Sequence, residues 1–311
     1  MSDTRCPLVV VAGPTASGKS ALAIELCRRF DGEVVSADSM QVYEQLRVGT
    51  ARPTEEEMGG IPHHLMGFLP LTASYSVAKY AADAHRAIAD IRRRGKLPIL
   101  CGGTGLYIQA VTENLTYEEQ NGDRALRDAL RARAEKEGGE GLLEELRQVD
   151  PQTAARLHKN DLGRIVRALE LVRTTGRTLT EQNERSRSEP SPYRVCGLLL
   201  DARDRAVLYH RIDRRAATML ENGVLDEAAT LRRCEGADTV CQAIGYKEWY
   251  PYLDGACSLE QATEELCRAT RRYAKRQLSW FHHHGEWTSL YIDEGDPLAE
   301  AAQTVSAFLE G

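Results

Sequence analysis

The stretch Gly13-Pro14-Thr15-Ala16-Ser17-Gly18-Lys19-Ser20 fits the phosphate-binding pattern G-x-x-x-x-G-K-[ST]. It follows the apolar residues 8–12 and opens an amphipathic run over residues 21–30, so strand, loop and helix occur in the order that the pattern requires. The small residues of the loop allow its backbone N–H groups to converge on phosphate oxygens, and the helix start adds a partial positive charge. Lys19 can reach the outer phosphate, and the Ser20 hydroxyl can bind Mg²⁺. The stretch therefore predicts a diphosphate cradle.

The composition is that of an ordinary globular protein. The chain has 311 residues, of which 42% are hydrophobic and 28% charged, and its formal net charge is −6. This charge argues against a surface coated for non-specific nucleic-acid binding, although it leaves room for a local basic groove. No apolar run approaches the ~18 residues of a membrane span, and residues 1–5 lead straight into the first strand without a signal peptide. We expect a cytoplasmic monomer that does not contact a membrane.

Cysteines and histidines give little indication of a metal site. The eight cysteines include no C-x-x-C pair, so we interpret them as reduced and mostly buried. The run His282-His283-His284 has no Cys or carboxylate at ligand spacing, and we interpret it as a polar patch at a helix end.

The order of predicted elements indicates an α/β fold. Predicted strands over residues 33–37 and 97–101 flank a predicted crossover helix over residues 76–94, which favours a parallel sheet with helices on both faces, as in P-loop NTPases. Between about residues 114 and 192 the alternation gives way to helical patterns, and strand character returns over residues 193–200. We predict a catalytic core of residues 1–114 and 193–311 with an all-helical insertion of residues 115–192.

Two aspartates follow predicted strands. Asp38 comes after the strand over residues 33–37, and ligands of parallel sheets bind at the carboxyl ends of strands, so its carboxylate should point into the crevice beside the phosphate loop. The alternative is that Asp38 caps a following helix. Asp201 ends the strand over residues 193–200 in a short and common pattern that resembles the metal-linked acid of nucleotide hydrolases. That role is the alternative, and we interpret Asp201 as structural.

The densest basic stretch lies on a long helix that the capping box Ser258-Leu259-Glu260-Gln261 begins and that runs to about residue 281. Its cations alternate with aromatic side chains, which makes it the best candidate for contact with a polyanion. The cations are Arg268, Arg271, Arg272, Lys275 and Arg276. The arginines of the insertion are by default a solvated helix face.

A diphosphate cradle beside a carboxylate and arginines fits two chemistries. In one, the loop holds ATP and the γ-phosphoryl group is transferred, as in kinases and NTPases. In the other, the diphosphate is itself the leaving group of an organic moiety.

Nine motifs in chain order resemble the tRNA dimethylallyltransferase family. They are residues 13–20, 38–43 (Asp-Ser-Met-Gln-Val-Tyr), 49–53 (Gly-Thr-Ala-Arg-Pro), 62–65 (Pro-His-His-Leu), 75–77, 102–107 (Gly-Gly-Thr-Gly-Leu-Tyr), 211–215 (Arg-Ile-Asp-Arg-Arg), 242–248 (Gln-Ala-Ile-Gly-Tyr-Lys-Glu) and 270–277 (Thr-Arg-Arg-Tyr-Ala-Lys-Arg-Gln). The resemblance implies Mg²⁺-dependent transfer of a dimethylallyl group from dimethylallyl diphosphate to N6 of the adenine just 3′ of a tRNA anticodon. It covers the chain from the phosphate loop to about Trp280.

The resemblance also implies roles for individual residues. The diphosphate would be bound by the loop residues Gly13 to Ser20 and by Arg211. Its departure would be stabilised by Lys19, by Ser20 with Mg²⁺ and by Arg211. Asp38 would act as the general base. The implied tRNA contacts are Asp38, Ser39, Met40, Gln41, Thr104, Arg127, Gly163, Arg164, Ile165, Val166, Arg167, Gln242, Ala243, Ile244, Gly245, Tyr246 and Lys247. The insertion would then be a clamp on the anticodon stem-loop, which revises the default interpretation of its arginines.

Two departures and two alternatives accompany this resemblance. Gly67 stands where the family usually has an acidic residue, and the sequence ends at Gly311 without the zinc finger of eukaryotic relatives, so we expect the shorter bacterial form. A P-loop kinase or NTPase would use the same cradle for ATP. An adenylate prenyltransferase would use the same core with a mononucleotide acceptor, but it would need neither the insertion nor the basic helix.

Overall fold

Six parallel strands form the central sheet of the computed structural model. The structure describes residues 5–116, 123–187, 189–237 and 240–311, without the side chain of Arg124. The strands are β1 (Cys6–Ala12), β2 (Gly32–Ser36), β3 (His63–His64), β4 (Leu97–Gly102), β5 (Tyr193–Asp201) and β6 (Thr288–Tyr291). Their order in the sheet is β3-β2-β4-β1-β5-β6, and every neighbouring pair is parallel. The predicted α/β class with a parallel sheet is confirmed.

The chain folds into two compact units, one running up to Thr112 and resuming at Ser191, the other spanning Glu113–Pro190. Helices of the first unit are α1 (Lys19–Phe30), α2 (Glu55–Met58), α3 (Val77–Arg93), α4 (Gly105–Thr112), α10 (Arg205–Glu221), α11 (Val224–Arg233), α12 (Tyr250–Leu253), α13 (Leu259–His283) and α14 (Pro297–Glu310). Two short 3₁₀ helices, Val240–Gln242 and Lys247–Trp249, lie between α11 and α12. Helices of the second unit are α5 (Arg124–Glu137), α6 (Gly139–Val149), α7 (Pro151–Ala154), α8 (Leu162–Thr175) and α9 (Leu179–Ser186).

Helices cover both faces of the sheet because the side chains of β1 alternate between them. Val9 and Val11 pack in a cluster that includes residues of α1 and α14. Leu8 and Val10 point the other way, into a cluster that includes residues of α3, α4 and α13. All four side chains are fully buried. Burial of such a side chain stabilises the fold by about 1.5–3 kcal/mol.

The carboxyl ends of the central strands meet at one edge of the sheet. Ala12 of β1 pairs with Gly102 of β4 and with Leu199 of β5. At the end of β2, Ala37 N donates to Cys101 O at 2.8 Å. A Cβ atom on Gly102 would lie 2.1 Å from Ala37 O, so only glycine allows this close approach. Asp38 is thereby held beside the loop that follows β1.

Helix starts follow the capping patterns of the sequence. Ser258 and Gln261 form the predicted capping box at the start of α13. The side chain of Asp150 accepts from Thr153 N at the start of α7, where Pro151 is the first helical residue. Ser76 likewise caps α3 by accepting from Lys79 N. The predicted capping box at Ser258 and the predicted helix start at residue 76 are confirmed.

The second unit has a hydrophobic core of its own. It is built from Leu130 of α5, Leu142 and Leu146 of α6, and Ile165 and Leu169 of α8, all of them buried. Each limit of this unit lies two residues before the limit predicted from the sequence, 115–192.

The described residues carry no helix with the combined length and apolar character that a bilayer span demands. All eight cysteines are free thiols.

Candidate active site

The phosphate loop connects β1 to α1 in a conformation that depends on its small residues. Gly18 caps α1 with a φ of 93°, a left-handed conformation in which a side chain is strained. Ala16 also has a positive φ, of 65°. Ser17 N donates to Pro14 O at 3.3 Å across the loop. The hydroxyl of Ser17 is buried and has no hydrogen-bond partner among the described residues. The loop thus holds one buried hydroxyl that no described residue satisfies.

Lys19 and Ser20 open α1 at the point where its free N–H groups and dipole favour an anion. The Lys19 ammonium donates to Pro14 O at 3.3 Å and so lies over the loop. Burial lowers the pKa of Lys19, while the Asp38 carboxylate acts in the opposite direction.

Two arginines of α10 reach the phosphate loop. Arg211 Nη1 donates to Ser17 O at 3.2 Å, and Arg215 Nη1 donates to Thr15 Oγ1 at 2.8 Å. Burial lowers the pKa of Arg215. The sequence analysis identified Arg211 but missed Arg215, although a spacing of four residues places both on one face of a helix.

These arginines border a cavity of about 390 Å³, which we call the arginine cavity. It is lined by Ala16, Gly18, Lys19, Ser20, Ala21, Arg211, Arg214, Arg215 and Thr218. Four cationic side chains around one cavity at a helix N-terminus favour a ligand with several negative charges.

Asp38 lies in the loop after β2, where its carboxylate caps a turn. Oδ1 accepts from Met40 N at 2.8 Å and from Gln41 N at 3.3 Å. The alternative that Asp38 caps a helix is wrong, because residues 39–54 contain no helix. The same loop is fastened by Thr104, whose Oγ1 accepts from Ser39 N at 3.1 Å. Asp38 is therefore held rigidly at the carboxyl end of β2.

A second cavity of about 330 Å³, the central cavity, brings together three of the four predicted catalytic residues, whereas the fourth, Arg211, lines only the arginine cavity. Lys19, Ser20 and Asp38 line it, and it shares Lys19, Ser20 and Arg215 with the arginine cavity. The predicted tRNA contacts that line it are Asp38, Ser39, Met40, Gln41, Gln242, Ala243, Ile244 and Gly245. A site for the diphosphate and a carboxylate thus border one space.

Two other residues of the 242–247 motif do not line this cavity. Tyr246 is fully buried, and a Cβ atom on Gly49 would lie 2.4 Å from its ring. Lys247 is exposed at the start of a 3₁₀ helix. The sequence analysis missed Glu227 of α11, which accepts from Arg47 N, from Gly49 N at 2.9 Å and from Tyr246 Oη at 3.1 Å. An acidic residue in the first turn of a helix gives no sequence signal for such a contact, because that position is usually solvated.

The basic helix α13 presents one face to the central cavity and another to solvent. Thr270, Tyr273 and Gln277 line the cavity from positions that share a helix face. The cations Arg268, Arg272, Lys275 and Arg276 are exposed. Arg271 instead forms an ion pair with Asp213, with Nη2 at 2.6 Å and 2.7 Å from the two carboxylate oxygens.

The remaining predicted tRNA contacts lie in the second unit. The side chains of Ile165 and Val166 are buried in its core, whereas Gly163 and Arg164 are exposed. Arg127 donates to the buried Glu170 through Nε at 3.2 Å and Nη2 at 2.9 Å, and Arg167 donates to it through Nη1 at 3.2 Å. Burial raises the pKa of Glu170, but these hydrogen bonds outweigh it and hold the pKa below its usual value. The carboxylate therefore orders two of the predicted contacts.

The oxygen atoms at the central cavity fit a Mg²⁺ ion with few protein ligands better than a metal ion coordinated by protein side chains alone. No group of three or more His, Cys, Asp and Glu side chains in the described ranges is arranged to hold a metal ion. Ser20 and Asp38 offer one hydroxyl and one carboxylate. Mg²⁺ commonly takes one or two protein ligands and completes its shell with phosphate oxygens and water.

Asp201 and the histidine run lie outside these two linings. Asp201 is buried, and its Oδ2 lies 2.9 Å from Nε2 of His282. The rings of His283 and His284 are bonded to the carbonyl oxygens of Ser279 and Trp280, one helical turn earlier. These contacts agree with the structural interpretation of Asp201.

Comparison with known proteins gives relatives over nearly the whole chain. The tRNA dimethylallyltransferase of Caldanaerobacter subterraneus subsp. tengcongensis is 40% identical over 307 residues, which cover 98% of each chain. The tRNA dimethylallyltransferase of Bacillus licheniformis is 44% identical over 289 residues, 91% of this chain and 90% of that protein.

Two solved structures share the fold. The tRNA isopentenylpyrophosphate transferase of Bacillus halodurans has a TM-score of 0.71 and 40% identity, with 98% of this chain and 97% of that chain covered. A eukaryotic dimethylallyltransferase acting on tRNA has a TM-score of 0.77 and 31% identity, with 98% of this chain and 77% of that chain covered. A sequence profile described as IPP transferase matches residues 41–284. The chain belongs to the IPP transferase family.

Proposed function

We propose that this protein transfers a dimethylallyl group from dimethylallyl diphosphate to N6 of the adenine just 3′ of a tRNA anticodon. The observation that carries the proposal is the central cavity, where the phosphate loop, through Lys19 and Ser20, meets the strand-end carboxylate of Asp38. The two relatives described above support the proposal, because they are tRNA dimethylallyltransferases that are 40% and 44% identical to this chain.

The diphosphate would lie in the phosphate loop and extend into the arginine cavity. Negative charge builds on the diphosphate oxygens as the C–O bond to the dimethylallyl group breaks. Lys19, Arg211 and Arg215 contact the loop and can stabilise that charge without reorganising. The loop N–H groups and the start of α1 add to this stabilisation.

Ser20, which lines both cavities, would hold Mg²⁺, and Asp38 would stay free of the ion. When bound, the ion neutralises part of the diphosphate charge. The protein's own cations remain the groups that orient the leaving group.

Asp38 would act as general base. The amino nitrogen of adenine is a poor nucleophile because its lone pair is delocalised into the ring. The N6–C bond forms as the C–O bond breaks, the electron pair of the C–O bond leaves with the diphosphate, and the N6 proton passes to Asp38. Since two backbone N–H groups fix Oδ1, the base is oriented before the acceptor arrives.

An adenine in an anticodon loop must leave the stack to enter the central cavity. Extrusion costs roughly a few kcal/mol, and less for a loop base that is already poorly stacked. Residues 38–41 and 242–247 would hold the extruded base and its neighbours. Arg127 and residues 163–167 of the second unit would contact the anticodon stem-loop, and the exposed cations of α13 would contact its phosphates.

Labelled dimethylallyl diphosphate, supplied separately with tRNA, AMP and ATP, tests the proposal. We expect label in tRNA alone. Label in AMP but not in tRNA would favour an adenylate prenyltransferase, and phosphoryl transfer from ATP without prenyl transfer would favour a kinase or NTPase.

A pair of aspartate variants tests the mechanism. Asp38→Asn should lower turnover by about 10² to 10⁴ and weaken tRNA binding less, because it removes the base but keeps the hydrogen-bond acceptor. Asp201→Asn, also at a strand end but outside the lining of both cavities, should keep turnover near that of the wild type. Wild-type turnover in Asp38→Asn would remove Asp38 from the role of base.

A further inference from the structure

Gln277 of α13 is a buried side chain that joins two loops far apart in the sequence. It is 7% exposed. Its Oε1 accepts from Thr15 N at 2.9 Å, and its Nε2 donates to Gly103 O at 2.9 Å. Both ends of one amide group are therefore committed to backbone atoms of different loops.

The first of these loops is the phosphate loop. Thr15 N is bonded to Gln277, and the Thr15 hydroxyl accepts from Arg215 at 2.8 Å. Thr15 is thus fixed through its backbone and its side chain together. The N–H groups from Ala16 onward follow Thr15 in the loop, so their position depends on where Thr15 is held.

The second loop connects β4 to α4 and is hydrogen-bonded to the residues that flank Asp38, the proposed general base. Gly103 precedes Thr104, whose N donates to Ala37 O at 3.1 Å and whose Oγ1 accepts from Ser39 N at 3.1 Å. Asp38 lies between Ala37 and Ser39, the two residues to which Thr104 is bonded. A Cβ atom on Gly103 would lie 2.3 Å from Gln277 Nε2, so a side chain at this position would displace the Gln277 amide from its hydrogen bonds.

We propose that Gln277 is a positioning residue that sets the phosphate loop and the Asp38 loop in register across the central cavity. The proposal rests on the proposed function, in which the leaving group lies at one loop and the base at the other. A continuous chain of hydrogen bonds runs from Thr15 through Gln277 and Gly103–Thr104 to the residues on either side of Asp38. A displacement of about 1 Å between reacting groups can cost about 10²-fold in rate.

Gln277→Met tests this role, because methionine has a similar length and removes both hydrogen bonds. With both substrates saturating, we expect kcat to fall by about 10- to 100-fold, with each KM within about threefold of the wild type. Gln261→Met is the matched control, since it makes the same substitution on the same helix and removes the hydrogen bond from Ser258 N to Oε1 without touching either loop. It should lower the melting temperature and leave kcat unchanged.

A double-mutant cycle with Thr104→Val separates positioning from a local structural effect. Thr104→Val breaks the last hydrogen bond of the chain, so Gln277→Met should cost less in that background than in the wild type. If the two losses in kcat multiply, or if Gln277→Met keeps wild-type kcat, the proposal is overturned. Should Gln277→Met fail to fold, Gln277→Glu keeps the acceptor for Thr15 N and enters the same cycle. Absence of prenyl transfer by the wild-type protein would instead refute the proposed function.

Discussion

Replacing Glu170 with glutamine removes the charge that orders two arginines of the second unit. Glu170 is fully buried, whereas the side chains of Arg127 and Arg167 are 36% and 46% exposed. Each guanidinium therefore has one side against the carboxylate and another open to a phosphate. Glutamine keeps the shape of the side chain but can accept at only one atom.

Two effects of Glu170→Gln on tRNA binding oppose each other. At an effective dielectric constant of about 20 and with salt screening over a Debye length of about 8 Å, losing one negative charge strengthens the attraction of a phosphate at about 8 Å by about 0.8 kcal/mol. Ordering the side chain of Arg127, which loses its carboxylate partner, and in part that of Arg167 costs about 2 to 3 kcal/mol on binding. The ordering cost is larger, so we expect tRNA to bind about 10- to 50-fold more weakly.

The dissociation constant for tRNA, measured at fixed salt and at pH 7 to 8, checks this expectation. The pKa of folded Glu170 lies below its usual value, so its stabilising charge is present at that pH and is lost only as the pH falls through the folded pKa. Glu145→Gln is the matched control. Glu145 of α6 also bridges α5 and α8, through Arg133 and Arg173, but neither arginine is a proposed tRNA contact. The affinity of the Glu145→Gln variant for tRNA should stay within about threefold of the wild type, since surface ion pairs contribute about 0–1 kcal/mol.

Unchanged or tighter tRNA binding by Glu170→Gln, with weaker binding by Arg127→Gln, would refute the argument that ordering dominates. Equal losses in the Glu170 and Glu145 variants would point to a general loosening of the second unit.

Two further predictions use paired variants. Hydrogen bonds from Arg94 are the largest cause of the low pKa of buried Glu33, about 2, so Glu33→Gln should lower the free energy of unfolding by up to about 3 kcal/mol at pH 7. Because a carboxyl with a depressed folded pKa loses its contribution as the pH falls, urea unfolding at pH 3 should show less than half of that loss. Asp90→Asn, on the exposed side of Arg94, should leave stability nearly unchanged at either pH. Gly163 and Gly141 are helical glycines with nothing within 4 Å of an added Cβ atom, so Gly163→Ala and Gly141→Ala should each stabilise the fold by up to about 1 kcal/mol. Only Gly163→Ala should weaken tRNA binding, and equal affinities of the two variants would argue against close approach of tRNA at Gly163.

Features that depend on neighbouring residues could be predicted from the sequence. The apolar residues before the phosphate loop predicted β1, and Ser258 with Gln261 predicted the start of α13. Both signals are local, because side-chain alternation and helix caps involve residues within a few positions of each other. The resemblance to a known family added the order of motifs, which composition and periodicity do not supply.

The alternative that Asp38 caps a helix was wrong because the local sequence fits two kinds of cap. An aspartate that caps a helix and one that caps an isolated turn both accept from N–H groups two or three residues later. The sequence around Asp38 is compatible with both, and the loop's attachment to Thr104 decides between them.

The residues that were missed act over long separations. Gln277 meets Thr15 across 262 residues, and Glu227 meets Gly49 across 178. Glu170 lies on the buried face of α8 beside apolar residues, yet a glutamate on a helix is solvated by default. No local pattern encodes such partners, so only the folded chain identifies them.

The position of β1 between β4 and β5 has a consequence for biosynthesis. β4 ends at Gly102 and β5 begins at Tyr193. The ribosome must therefore add about 90 residues after it completes β4, the first partner of β1, before it reaches β5, the second partner. At about 5 to 20 residues per second, one apolar edge of β1 waits roughly 5 to 20 s for its neighbour. An unpaired apolar edge is a template for association with other chains. The length of the intervening segment therefore sets a window in which nascent chains depend on chaperones, and slower translation of that segment should lower the yield of folded protein.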